Sequence, residues 1–269
     1  MPYCKVQQAE LFYEDLGEGT PIIMLHGFSP DHRLMSGCME PVFENKGGFR
    51  RIYMDLPGMG QSRNYDEIKS SDDMLNAVLD FIQTTIPDQK YVLVGESYGG
   101  YLARGVIHHQ KEQVLGGAFI CPVIQPYAKD RTVGQHKIVK TDPAFVKSLT
   151  PLELEEFKNK SVVLDEVTWR RYREEILSGI QSADIPFLEK VQKNYGFSFE
   201  IDQTEFTKPS LFLLGKQDAV VGYQDALELQ DRYPRGTFAV LDGAGHNLQI
   251  EQPQIFNALV SEWLERLTN

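Results

Sequence analysis

Short, largely apolar runs recur along the chain, most of them stopped by a glycine or a charged residue. Ile22 to Leu25, Arg51 to Asp55, Tyr91 to Gly95, Val114 to Ile120, Ser210 to Leu214 and Thr237 to Leu241 are six of them. A strand covered on both faces reads as a near-continuous apolar run rather than an alternation, so these six predict central strands. The first residues alternate weakly about a turn-like Asp15-Leu16-Gly17-Glu18-Gly19 and predict one or two edge strands. Between the runs the period changes. Ser71 to Ile86 places Met74, Leu75, Val78, Leu79 and Ile82 at helical spacing, with Asp72 and Asp73 near the positive end of the helix dipole. Tyr98 to His109, Tyr223 to Leu229 and Pro253 to Leu267 read as further helices. Strands alternating with helices predict an α/β fold: a mostly parallel central sheet flanked by helices.

The alternation stops between residues 124 and 207 and resumes afterwards. Thr150-Pro151-x-Glu153 is a helix start, with a Thr cap, a proline at the first position and a glutamate at the third. Asp165 to Leu177, closed by Ser178-Gly179, and Asp184 to Tyr195, stopped by Gly196, are two more candidates. The segment reads as a helical cap inserted into the sheet domain. The expected division is core over 1–123, cap over 124–207 and core again over 208–269.

The 269 residues include 42% hydrophobic and 11% aromatic side chains, enough for a packed core. A net charge of -11 disfavours a nucleic-acid partner, which needs a positive surface. Nowhere do 18 apolar residues run together and the N-terminus lacks a signal-peptide pattern, so no membrane span is expected and a cytoplasmic location fits. The three cysteines, Cys4, Cys38 and Cys121, form no C-x-x-C pair. Cys121 reads as a buried thiol and Cys38 as partly exposed. No feature specifies an oligomeric state.

Candidate chemistry begins at Gly95-Glu96-Ser97-Tyr98-Gly99, a G-x-S-x-G between a predicted strand and a predicted helix. In that setting the turn is tight, Gly95 and Gly99 have no room for side chains, and the Ser97 hydroxyl stands above the sheet edge as a nucleophile. An acyl-transfer intermediate needs donors aimed at its oxygen. The backbone N–H groups of Phe28 and Tyr98 are the candidates, with Gly27 letting the chain turn near the substrate and His26 supporting the loop. Of the six histidines, His246 is the candidate base, because Gly243-Ala244-Gly245 carries it off the last strand. His108 and His109 read as surface or packing residues, and His32 and His136 have no supporting motif. Asp218, just past the fifth run, is the candidate acid, with Asp242 and Asp130 as rivals. The order Ser97, Asp218, His246 suits this sheet architecture. With the nucleophile in the protein, neither metal nor organic cofactor is implied, and a small molecule is the expected substrate. No glycine cluster gives a phosphate-binding loop.

Taken together, His26-Gly27, Asp55-Leu56-Pro57-Gly58-Met59-Gly60-Gln61-Ser62, Gly95 to Gly100, Gly215-Lys216-Gln217-Asp218 and Gly243 to His246 resemble the alpha/beta-hydrolase superfamily over nearly the whole chain. The resemblance implies a serine hydrolase with a cap that shapes the substrate pocket, and makes Asp55 to Ser62 a structural turn rather than the source of the acid. Ser97 sets the chain apart from dehalogenase-like and epoxide-hydrolase-like members, which place Asp there. Its size and cap plan resemble proline-iminopeptidase-like, esterase-like and carbon–carbon hydrolase members. Asn247-Leu248-Gln249 replaces the Trp usual after the histidine in the last group. The expected reaction is cleavage of a small ester, thioester or amide, with carbon–carbon or small-peptide hydrolysis as the alternative and a non-enzymatic ligand sensor as a third reading. Glu96 is expected to point away from the pocket and pair locally, Trp169 to lie in the core, and Arg170, Arg171 and Arg173 to form a solvated helix face.

Overall fold

The computed structural model describes residues 3–268. β1 (Tyr3–Lys5) and β2 (Glu10–Leu16) are antiparallel edge strands. β3 (Thr20–Leu25), β4 (Phe49–Met54), β5 (Tyr91–Glu96) and β6 (Val114–Ile120) follow. A separate two-stranded parallel pair, β7 (Lys140–Thr141) and β8 (Val163–Leu164), precedes β9 (Ser210–Gly215) and β10 (Gly236–Leu241). The main sheet runs β1-β2-β4-β3-β5-β6-β9-β10, and from β4 to β10 every neighbouring pair is parallel. All six apolar runs are strands of it. Every residue of β5 and β9 is buried, as continuous apolar runs require.

Helices cover both faces. α1 (His32–Phe43) packs on the C-terminal helix, and α2 (Ser71–Thr85) packs on α3 (Tyr98–Gln110). The α1 helix has no counterpart among the expected elements. Gly37 and Pro41 weaken its helical signal, and its start depends on Asp31, whose side chain accepts from Arg33 N–H. Because α1 lies on the sheet, Cys38 is 1% exposed, not partly exposed as its sequence neighbours suggest. Burial pushes its thiol well up, so the group is inert at neutral pH.

Between β6 and β9 the chain leaves the sheet and returns. This inserted helical region holds α4 (Pro143–Val146), α5 (Pro151–Lys160), α6 (Glu166–Arg171), a π-helical turn over Tyr172–Leu177, α7 (Ser178–Ile180) and α8 (Ile185–Gln192). The Thr150 start is a full capping box: the Thr150 hydroxyl accepts from Glu153 N–H, and the Glu153 carboxylate accepts from Thr150 N–H. The second helical run does not stop at Ser178 but continues to Ile180, and the third ends at Gln192, before Gly196. Trp169 is buried against Phe157 and Tyr172. Arg170 is exposed, but Arg171 is not on a solvated face. At 13% exposure it donates to Glu175 within the insert and to the carbonyls of Gln249 and Gly37 in the core. Long-range partners of this kind leave no local pattern in sequence. α9 (Gln224–Leu227), α10 (Leu248–Glu251) and α11 (Pro253–Thr268) complete the chain.

One buried network ties α3 to the chain that returns from the insert. Arg104, 1% exposed, donates from Nη1 to Asp202 at 3.0 Å and from Nη2 to the Val123 carbonyl at 2.9 Å, while Asp202 also accepts from the Tyr233 hydroxyl. Removing one partner of a buried pair leaves the other charge uncompensated. Arg104→Met is therefore expected to lower unfolding stability by about 3 kcal/mol, read as a lower urea midpoint.

Candidate active site

β5 ends at Glu96 and α3 starts at Tyr98, so a single residue turns the chain from strand to helix. That residue, Ser97, has φ 50 and ψ -112, a strained conformation for a non-glycine. Its backbone is held on both sides: Ser97 N–H donates to the Ile120 carbonyl at 2.9 Å, and its own carbonyl accepts from Val123 N–H at 3.0 Å. The crossing is too close for side chains. A Cβ at Gly95 would meet the Gly99 carbonyl, and one at Gly99 would meet the carbonyl of Leu25.

Asp218 follows β9 and His246 follows β10, two adjacent parallel strands that end on the same edge as β5. The three side chains meet there. His246 Nε2 lies 3.0 Å from Ser97 Oγ, and His246 Nδ1 lies 2.9 Å from Asp218 Oδ2. Nδ1–H is thus the donor to the carboxylate, leaving Nε2 to accept from the serine hydroxyl. Asp218 is 2% exposed, and its other oxygen accepts from Val220 and Val221 N–H. The rival acids are elsewhere. Asp242 accepts from the Gln217 side chain, and Asp130 lies in an exposed turn.

The loop after β3 approaches from the other side. His26 is buried, with Nδ1 2.8 Å from the Gly27 carbonyl and Nε2 accepting from Leu56 N–H at 2.9 Å. These bonds define one neutral tautomer, and burial lowers its pKa. His26 therefore fastens two loops to each other. Gly27 and Phe28 border the cleft above Ser97. Tyr98 N–H is the first of α3 and has no acceptor within the helix, while the Tyr98 hydroxyl bonds Ser71 Oγ at 2.7 Å.

Three features were not legible as site features. Glu96, expected to point away, is 2% exposed, borders the cleft and places Oε1 3.6 Å from His246 Nε2. It fits because Gly27 has no Cβ: one there would collide with Oε2. Burial raises this carboxyl to about 7, with His246 opposing the rise and Asp218 adding to it. Glu251 accepts from Gly245 N–H at 2.6 Å with one oxygen and from Val162 N–H at 2.7 Å with the other, so one carboxylate joins the histidine loop to the insert. His32, which has no motif around it, lies 2.8 Å from Asp55, whose two oxygens also accept from His32 and Gln61 N–H. His108 and His109 pack against Phe199.

Burial works against a charged His246, but Asp218's charge and hydrogen bond, with a further contribution from Glu96, outweigh it. The pKa rises from 6.5 to about 9. Burial also resists ionisation of Asp218, yet His246 and the two N–H donors hold its carboxyl below 3.8. Among the described residues two groups have the residue types of a metal site, Cys121-Asp218-His246 and Asp31-His32-Asp55. Their histidine and carboxylate atoms already take part in the hydrogen bonds above, and burial keeps Cys121 protonated.

Ser97 and His246 open into a cleft of about 640 Å³ between sheet and insert, with Asp218 buried behind the imidazole. Tyr172, Ile176 and Ile180, at spacings of four along the π-helical turn and α7, form its upper wall. Among the described residues no helix is long and apolar enough to cross a membrane.

A family model for the alpha/beta hydrolase fold matches residues 20–253. Monoacylglycerol lipase ABHD6 from Bos taurus is 25% identical over 260 residues, 92% of this chain and 76% of the lipase. The 2-hydroxymuconate semialdehyde hydrolase of Pseudomonas sp. (strain CF600) is 25% identical over 262 residues, 93% of this chain and 88% of that enzyme. Among solved structures, an alpha/beta superfamily hydrolase from Oenococcus oeni PSU-1 superposes with a TM-score of 0.91 at 32% identity and full coverage of both chains. A thermophilic esterase from Thermogutta terrifontis shares the fold, with a TM-score of 0.69 at 21% identity over 99% of each chain. The chain belongs to the alpha/beta-hydrolase family and is an enzyme of its hydrolase type.

Proposed function

We propose that the protein is a serine hydrolase that cleaves a small ester, thioester or amide through an acyl-enzyme on Ser97. The observation that carries this reading is the continuous chain from Ser97 Oγ through His246 to Asp218, with bonds of 3.0 and 2.9 Å. In this reading Ser97 Oγ attacks the substrate carbonyl as its proton passes to His246 Nε2. Asp218 holds the imidazole in the required tautomer and stabilises the imidazolium. Phe28 and Tyr98 N–H receive the negative oxygen, aided by the N-terminal end of α3. His246 then gives its proton to the leaving group. Water attacks the acyl-enzyme, returns a proton through His246 and releases the acid, restoring Ser97.

The segment 124–207 serves as the cap, because its side chains supply the wall opposite Ser97. The lipase and esterase relatives support the ester reading. A carbon–carbon hydrolase related over 93% of the chain supports cleavage of a carbon–carbon bond by the same three residues as the second reading.

The electrostatics set the pH dependence. His246 acts as a base only when neutral, and its pKa is raised. As pH falls through that raised value the base is lost, so kcat/KM should climb from neutral into alkaline pH. Its acid limb should lie above 6.5, toward about 9. Glu96→Gln removes a nearby carboxylate and should move this limb down by about half to one pH unit. An unmoved limb would remove Glu96 from the account.

A 4-nitrophenyl ester should give a burst of nitrophenol near one equivalent per chain. Ser97→Ala should abolish the burst with its unfolding midpoint unchanged, and His246→Ala should slow it at least about a thousandfold while the chain still folds. Turnover of a carbon–carbon substrate with no action on esters would favour the second reading.

A further inference from the structure

The cleft differs in charge from the molecule that contains it. The chain carries -11, yet among the described residues bordering the cleft Glu96 is the sole carboxylic acid, and it lies on the buried floor. The insert side carries Arg131, Lys160 and His136. Arg131 is half-buried and rigidly placed. Its Nε donates to the Gln125 carbonyl at 2.9 Å, Nη2 to the Pro126 carbonyl at 2.7 Å and Nη1 to the Val220 carbonyl at 3.1 Å. All three acceptors are neutral. A guanidinium has five N–H donors, so two remain.

Asp130, next to Arg131 in sequence, is exposed and forms no ion pair with it, and the buried acids nearby are occupied. Asp218 binds His246 and the N–H groups of Val220 and Val221, and Asp225 accepts from Thr132 N–H. Among the described residues neither Arg131 nor Lys160 forms an ion pair with a carboxylate. Arg131 is close enough to His246 for its charge to bear on the imidazole. A fixed cation without a counter-charge, at the wall of a cleft holding the proposed nucleophile, is a site for an anion.

Resting on the serine-hydrolase reading, we propose that the substrate carries a carboxylate beside the scissile bond and that Arg131, assisted by Lys160, binds it. Glu96 is set apart from this cation: it lies on the buried floor beside His246, whereas Arg131 stands on the insert side. Arg131 is a specificity-determining residue here: it selects the substrate and takes no part in proton transfer.

Two matched pairs of esters test this and distinguish the side on which the carboxylate lies. In one, 4-nitrophenyl butyrate is compared with mono-4-nitrophenyl glutarate, whose acyl group is anionic. In the other, methyl 4-acetoxybenzoate is compared with 4-acetoxybenzoate, whose leaving group is anionic. The anionic member of one pair should have a kcat/KM about tenfold or more above its neutral partner at low salt. That ratio should shrink as salt is raised. Arg131→Gln should collapse the ratio through KM, Arg131→Lys should restore part of it, and Lys160→Gln should lower it about twofold. Equal kcat/KM within both pairs in the wild-type protein would overturn the inference. So would an Arg131→Gln variant whose ratio stays at the wild-type value. Hydrolysis of the neutral esters alone would leave the serine-hydrolase reading intact while removing this one. Hydrolysis of none of the four would overturn both.

Discussion

The site depends on one constrained crossing of backbones. Between β5 and α3 the chain reverses at Ser97 with a positive φ, a conformation that costs about 1–3 kcal/mol for a residue with a side chain. It persists because both sides of the turn are held, by the Ile120 carbonyl and Val123 N–H, and because Gly95 and Gly99 let the loop after β3 lie against it. The strain presents Oγ at the sheet edge and leaves the first N–H of α3 without a helical acceptor. The proposed nucleophile and one proposed oxyanion donor are therefore consequences of the same turn.

The remaining groups reach that point through the order of the sheet. β9 and β10 follow β6 on the same side of β5, so the loops that leave them deliver Asp218 and His246 to one edge. Each is then fixed from behind. Val220 and Val221 N–H hold Asp218, and Glu251 holds Gly245 N–H beside His246. Glu251 also binds Val162, Asn247 donates to the Lys160 carbonyl, and Arg171 reaches the carbonyls of Gln249 and Gly37. The insert is thus fastened to the histidine loop itself. The wall of the cleft and the proposed base form one hydrogen-bonded unit, which couples how the cleft is shaped to how the imidazole is aimed.

Features that depend on neighbours in sequence were legible there. Five of the six apolar runs became central strands because burial on both faces leaves no polar positions to alternate; the sixth, β10, is the edge strand and is half-buried throughout. The Thr150-Pro151-x-Glu153 start formed its capping box because both reciprocal bonds are made within one helical turn. What required partners far along the chain was hidden. Helix α1 was obscured by Gly37 and Pro41 and is held by the sheet beneath it, which buries Cys38. Glu96 lies over the cleft because a glycine 69 positions earlier leaves space for its carboxyl. Arg171 and Glu251 look like surface helix charges until the insert and the core are brought together. The strands β7 and β8, two residues each, are too short to impose a period.

The central claim is that this strained serine, activated by His246, is the nucleophile. Covalent labelling with a fluorophosphonate, read by intact mass and by peptide mapping, tests it most directly. The account predicts one adduct per chain, on Ser97, absent in Ser97→Ala and formed far more slowly in His246→Ala. Labelling of Ser97→Ala at the wild-type rate, or an adduct mapped to another residue, would contradict it.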